Sequence, residues 1–127
     1  MAPRPAPRYV ARMLAYTHPA CLAHDPGADH PERPARLQAV LDALRQAHPG
    51  LAWRQAPPAR RGDLRRVHEA ALIDLVLAPV PAGTRALDPD TALSPGSAQA
   101  ALHAAGAGVA AVDAVMAGED DTAFCAV

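Results

Sequence analysis

Three short apolar runs, Arg12 to Tyr16, Leu51 to Arg54 and Thr122 to Val127, are separated by stretches with helical periodicity. That order is the strongest constraint on the fold. Strands joined through helices lie parallel in one sheet, with helices covering both faces. The first helix is the clearest. Leu37, Val40, Leu41 and Leu44 recur at i, i+3, i+4 and i+7, Pro34 suits the first turn, and Pro49-Gly50 ends the helix. A short helix is expected from Asp63, acting as its cap, to Val67, and another from Glu69 to about Ala78. Pro79 to Thr91 reads as loop. Ser94 and Pro95 then supply the N-cap and first turn of a long helix that Gly118 stops. Its buried stripe is expected to be Leu102, Ala105, Val109, Val112 and Met116, with Ala104, Gly108 and Ala111 as a second face of small residues.

The sheet must be packed with little bulk. Half of the 127 residues are hydrophobic, yet there is one Phe, one Trp and two Tyr, so the apolar content is mostly alanine. Aromatic rings carry much of the buried area in ordinary cores, and a core of Ala, Leu and Val depends instead on close helix approach. A parallel sheet of about three strands, one at the extreme C-terminus, leaves apolar edges uncovered. The chain is therefore expected to be the N-terminal portion of a larger α/β domain over 12–127, preceded by a disordered Pro/Arg-rich arm over 1–11.

The net charge of −1 gives no reason to expect nucleic acid or an anionic membrane as partner. Cys21 and Cys125 are too few for a disulfide scaffold and fit a reducing cytosol, so a cytoplasmic location is expected. Pro3, Pro5 and Pro7 interrupt any apolar signal segment. No run of about 20 apolar residues free of Gly, Pro and charge marks a membrane span.

The densest chemistry is His30-Pro31-Glu32-Arg33-Pro34-Ala35-Arg36-Leu37, which runs straight into the first helix. It presents an imidazole, a carboxylate and two guanidinium groups from one corner, with Glu32 and Arg36 spaced to pair. One of Arg33 and Arg36 pointing inward would bind a carboxylate or line a polar tunnel; a solvated surface arginine is the alternative. The preceding loop, Thr17 to Pro31, is long enough to suspect a function. His18, Cys21, His24, Asp25, Asp29 and His30 are metal-ligand types at spacings of no tight zinc motif, so a metal site and solvated turns both stay open. Asp88 and Asp90 serve either turn formation or substrate contact. His68 and His103 stand singly in helices. No Ser-His-Asp order or dinucleotide fingerprint is present, and Gly106-Ala107-Gly108 lies inside a helix.

The pieces in order are Tyr16-Thr17-His18-Pro19, His24-Asp25-Pro26-Gly27, His30 to Leu37, Val67-His68, Asp88-Pro89-Asp90-Thr91 and Ser94-Pro95-Gly96-Ser97, then an Ala/Gly helix and an apolar strand. This order resembles the N-terminal third of the histone deacetylase superfamily, in particular the class II-like bacterial enzymes, to which acetylpolyamine amidohydrolases and acetoin-utilisation proteins are related. The resemblance covers 12–127. It implies an arginase-like three-layer α/β/α domain with a central parallel sheet. It also implies hydrolysis of N-acetyl amides of lysine or polyamines by zinc, which polarises the carbonyl and its bound water.

In that family the zinc ligands and the acid/base histidines lie C-terminal to the strand at Val127, so the resemblance assigns no catalytic residue and no metal ligand here and implies an inactive fragment. What it does assign is the entrance. Asp90 matches the rim aspartate that accepts hydrogen bonds from substrate backbone amides, and His30 belongs to the loop shaping the pocket mouth. Arg36 matches a buried arginine beside the product channel, where its fork would hold acetate. The alternative expectation is a catalytically dead module that pairs its open sheet edge with a partner.

Overall fold

The structure, a computed structural model, describes residues 13–127. The expected arm over 1–11 and the start of the first strand at Arg12 lie outside the described residues. Strand β1 is Met13–Thr17, followed by a short 3-10 helix, Pro19–Ala23. Helix α1 spans Pro34–Ala47, β2 Ala52–Gln55, α2 Arg61–Leu64 and α3 Ala70–Leu77. A hairpin of β3 (Arg85–Asp88) and β4 (Thr91–Leu93) leads to α4 (Ser97–Met116) and β5 (Thr122–Cys125).

The sheet is parallel, as the strand–helix order requires, with β1 between β2 and β5. Side chains alternate across β1. Leu14 and Tyr16 face α4 and form one core with Ala107, Ala111 and Ala114. The opposite face packs Leu37 and Leu41 of α1 with Cys21, Trp53 and Ala126. Helices therefore cover both faces, and the Leu37 to Leu44 stripe of α1 points inward as its period demands.

Four local expectations are corrected. Pro79 to Thr91 is not all loop, because Arg85–Asp88 and Thr91–Leu93 pair antiparallel around Pro89-Asp90. There the Asp88 carboxylate accepts the Asp90 N–H at 2.9 Å and closes the turn. Asp63 does not cap α2 either; Arg60 occupies the cap position, and the Asp63 carboxylate takes the Arg60 Nε–H at 3.1 Å, which holds it below the usual carboxylate range. Helix α4 begins at Ser97 with Gly96 as cap, two residues beyond the expected Ser94 cap and Pro95 first turn. Ser94 still contributes there, since its N–H donates to Ser97 Oγ at 2.7 Å.

The fourth correction concerns which face of α4 is buried. Val112 and Met116 are 63% and 81% exposed, whereas Ala100, Ala107, Ala111 and Ala114 are buried. Small side chains let the helix axis sit close to the sheet and to the segment after β2. The backbone from Pro57 to Ala59 crosses α4 at Gly106, and Ala59 N–H donates to the Leu102 carbonyl at 2.9 Å. By length and composition alone α4 would suffice to cross a membrane; here its alanine face is the floor of the core.

Candidate functional site

Parallel sheets place functional loops beyond the carboxyl ends of their strands, and the residues singled out in the sequence gather there. The loop after β1 and its 3-10 helix carries His24 to Arg33. The β3–β4 turn carries Asp90, and the last residues after β5 reach Val127. Three groups of contacts bring these segments together.

The first is a bridge between the two loops. His30 Nδ1 accepts the Glu32 N–H at 3.0 Å, which leaves the proton on Nε2 to donate to the Asp90 carbonyl at 2.9 Å. The bridge puts His30 and Asp90 on one wall of an open depression of about 670 Å³ with Pro26, Asp29 and Pro89. The Asp90 backbone is fully used, its N–H by Asp88 and its carbonyl by His30, while the residue itself is exposed and lines the depression. Arg33 turns back to the Ala28 carbonyl at 2.6 Å and tightens the same loop.

Arg36 makes the second group. Glu32, one turn earlier, receives its Nε–H at 3.0 Å and its Nη2–H at 3.1 Å, the pairing that the i, i+4 spacing predicts. Nη2 also donates to the Val127 carbonyl at 3.0 Å. The guanidinium thus ties α1 to the residues following β5. It is not buried among the described residues, being 39% exposed, and it edges a cavity of about 340 Å³ lined by Cys21, His24, Glu32, Ser97 and Val127. Burial pushes the Cys21 thiol up, so that wall stays uncharged near neutral pH.

The third group holds the histidines that sequence reading left unassigned. His18, directly after β1, stacks on His103 of α4 with ring centroids 3.5 Å apart and planes 6° from parallel. His18 Nδ1 accepts the Ala20 N–H at 3.1 Å and caps the 3-10 helix, while His103 Nδ1 donates to the Ala56 carbonyl at 2.9 Å. Burial, reinforced by His103, holds the His18 imidazole below its ordinary value of 6.5. The unfolded chain then binds the additional proton first. The stability from the neutral stack is complete above pH 6.5 and is lost as pH falls through 6.5 toward the lowered value. Urea titrations at several pH values check this. His18→Asn keeps a side-chain acceptor for the Ala20 N–H but does not titrate, and is expected to show a shallower loss of stability between about pH 7 and pH 5.

These contacts give several of the loop's candidate donors other partners. His18 is committed to His103 and Ala20, Cys21 Sγ–H to the Ala100 carbonyl at 3.9 Å, His24 to Ser97 at 2.7 Å, and His30 to Glu32 and Asp90. Among the described residues no three His, Cys, Asp or Glu side chains converge on a point that would hold a metal ion.

Sequence reading missed Ser94 and Ser97, which sit between the two loops. Their signal was present in the Ser-Pro-Gly-Ser stretch, which served there as a helix cap and as one piece of the family order, with no role given to either hydroxyl.

Comparison with known proteins places the chain among relatives. A family model described as the histone deacetylase domain matches residues 30–127. A histone deacetylase-like amidohydrolase of Pseudomonas aeruginosa is 41% identical over 106 residues, which is 84% of this chain and 27% of that protein. The crystal structure of the HDA15 HD domain superposes with a TM-score of 0.83 at 26% identity, over 91% of this chain and 35% of that one. The chain thus spans about a quarter of the curated relative and about a third of the solved one.

Proposed function

The chain belongs to the histone deacetylase family, and from that membership we propose that it forms the substrate rim and product-channel edge of a cytoplasmic, zinc-dependent deacetylase acting on N-acetyl amides of lysine or polyamines. In this reading Asp90 accepts hydrogen bonds from substrate amides, His30 holds the Asp90 turn, and Arg36 meets the acetate product. The zinc and the groups that would handle its water come from outside the described residues, and the chain alone hydrolyses no acetamide.

One observation supports the reading above the others. The His30 bridge and Asp88 consume the Asp90 backbone, so this exposed residue brings a carboxylate acceptor to the depression and no free backbone donor. Arg36 adds to it. Its Nε and Nη2 are engaged by Glu32 and Val127, and the Nη1 edge remains to meet a carboxylate in the adjoining cavity.

The test is a chimera in which this segment replaces its 106-residue match in the Pseudomonas aeruginosa relative. Assayed in zinc-containing buffer, the chimera is expected to release acetate from an acetyl-lysine peptide or an acetylated polyamine, and the 127-residue chain alone from neither. A chimera that melts cooperatively yet hydrolyses neither substrate sinks the reading and favours the edge-pairing module.

A further inference from the structure

The two loops that form the rim are joined at their roots as well as at their tip. At the root, Asp25 N–H donates to Ser94 Oγ at 3.0 Å, Ser94 Oγ lies 3.0 Å from Ser97 Oγ, and Ser97 Oγ lies 2.7 Å from His24 Nδ1. Ser94 Oγ also lies 3.5 Å from the Ala23 carbonyl, which accepts from it, so the two hydroxyls, the imidazole and the backbone of both loops share one connected set of hydrogen bonds. Ser97 also accepts the Ser94 N–H at 2.7 Å, and it is 3% exposed. Gly96 lets the segments meet this closely, because a Cβ there would collide with the Ala23 carbonyl and methyl groups. From this root the chain runs outward through Asp25 to His30 on one side and back from Ser94 to Asp90 on the other, and the His30–Asp90 bond closes the tip.

We propose that His24, Ser94 and Ser97 are positioning residues that hold the two halves of the rim in register, an inference whose functional meaning rests on the rim reading above. The physical reason is the weakness of the tip. A single exposed hydrogen bond contributes little net stability in water, and closing it between two free loops costs chain entropy. The buried root removes most of that cost by fixing both loops a few residues away. His24 and Ser97 touch neither His30 nor Asp90 through any of these bonds, so their effect on the rim passes through the backbone.

Site-resolved amide exchange on the 127-residue chain tests this without any hydrolysis assay. The reporters are the amides of His30, Glu32 and Asp90, bonded to Gly27 O, His30 Nδ1 and Asp88 Oδ1. His24→Leu and Ser97→Ala are each expected to speed exchange at these three sites about tenfold, the factor that one lost hydrogen bond supplies. The amides of Ala15 and Ala107 in the core should keep their rates. His24→Asn, which restores an acceptor near the Nδ1 position, should return the three sites toward the unaltered rates. Unchanged rates at the rim in His24→Leu, a failure of His24→Asn to restore them, or equal acceleration throughout the chain would each overturn the proposal. Because no substrate is involved, an inactive chimera would leave this result standing.

Discussion

Replacing Gly106 with alanine is expected to lower the unfolding free energy by about 3 kcal/mol, the upper range for overpacking a filled interior. The direction opposes intrinsic helix propensity, which favours alanine over glycine by roughly 1 kcal/mol in a helix interior. At Gly106 the added Cβ would fall inside the Pro57 carbonyl oxygen and 2.8 Å from the Ala59 nitrogen. Both are backbone atoms, and Ala59 N–H is already donated to α4, so neither can rotate away as a side-chain tip would. Either the segment after β2 lifts off α4 and loses that bond, or α4 tilts and opens the alanine core against Leu14 and Tyr16. The matched control is Gly108→Ala two residues on. Its site is exposed with nothing within 4 Å, so propensity alone acts and the chain should gain about 1 kcal/mol. Urea unfolding of the pair reads both signs at once. Equal midpoints for the two variants would show that Gly106 is chosen for neither contact nor packing.

The second large effect concerns catalysis in the chimera. Asp90→Ala should reduce kcat/KM by about tenfold to a hundredfold, since a hydrogen bond to a charged acceptor contributes roughly 1.5–3 kcal/mol. The loss should appear mainly in KM, because a rim carboxylate that grips the substrate backbone holds ground state and transition state alike. Asp90→Asn should retain part of the effect through its remaining carbonyl oxygen. His30→Ala leaves the carboxylate in place but frees the turn, and a smaller rise in KM is expected from it. Unaltered kinetics in Asp90→Ala would remove the residue from the rim and leave it as a turn former that also bonds Asp88.

How much of this was legible in the residues depends on the range of the interaction. The α1 face was readable because four large side chains repeat at one helical period, and Glu32–Arg36 because the pair lies within one turn. The α4 face was misread for the opposite reason. Its larger residues, Val112 and Met116, obey a helical stripe, but burial followed the alanines, since the distance between helix and sheet was set by the chain crossing at Pro57. The hairpin was hidden by the assumption that proline and paired aspartates mean loop. The symmetric Ala86-Leu87-Asp88-Pro89-Asp90-Thr91-Ala92-Leu93 was the available signal, with the turn residues at its centre. Resemblance located His30, Arg36 and Asp90 individually, and the geometry then showed His30 bonded to Asp90, while Arg36 edges a separate cavity at 39% exposure rather than in a buried channel.

The amino-acid sequence by itself determined the order of the three main-sheet strands and the helices between them, and therefore a parallel sheet covered on both faces, along with the first helix, its Glu32–Arg36 pair and the family. These rest on local periodicity, turn chemistry and short motifs, which act within a few residues of one another. Tertiary structure alone decided which face of α4 is buried, that His18 stacks on His103, and that Ser94, Ser97 and His24 knit together loops some 70 positions apart, the separation being 73 between His24 and Ser97. Those contacts join residues whose spacing in the chain carries no periodic signal. They exist because the close approach of alanine and glycine surfaces brings distant backbone segments within hydrogen-bonding distance.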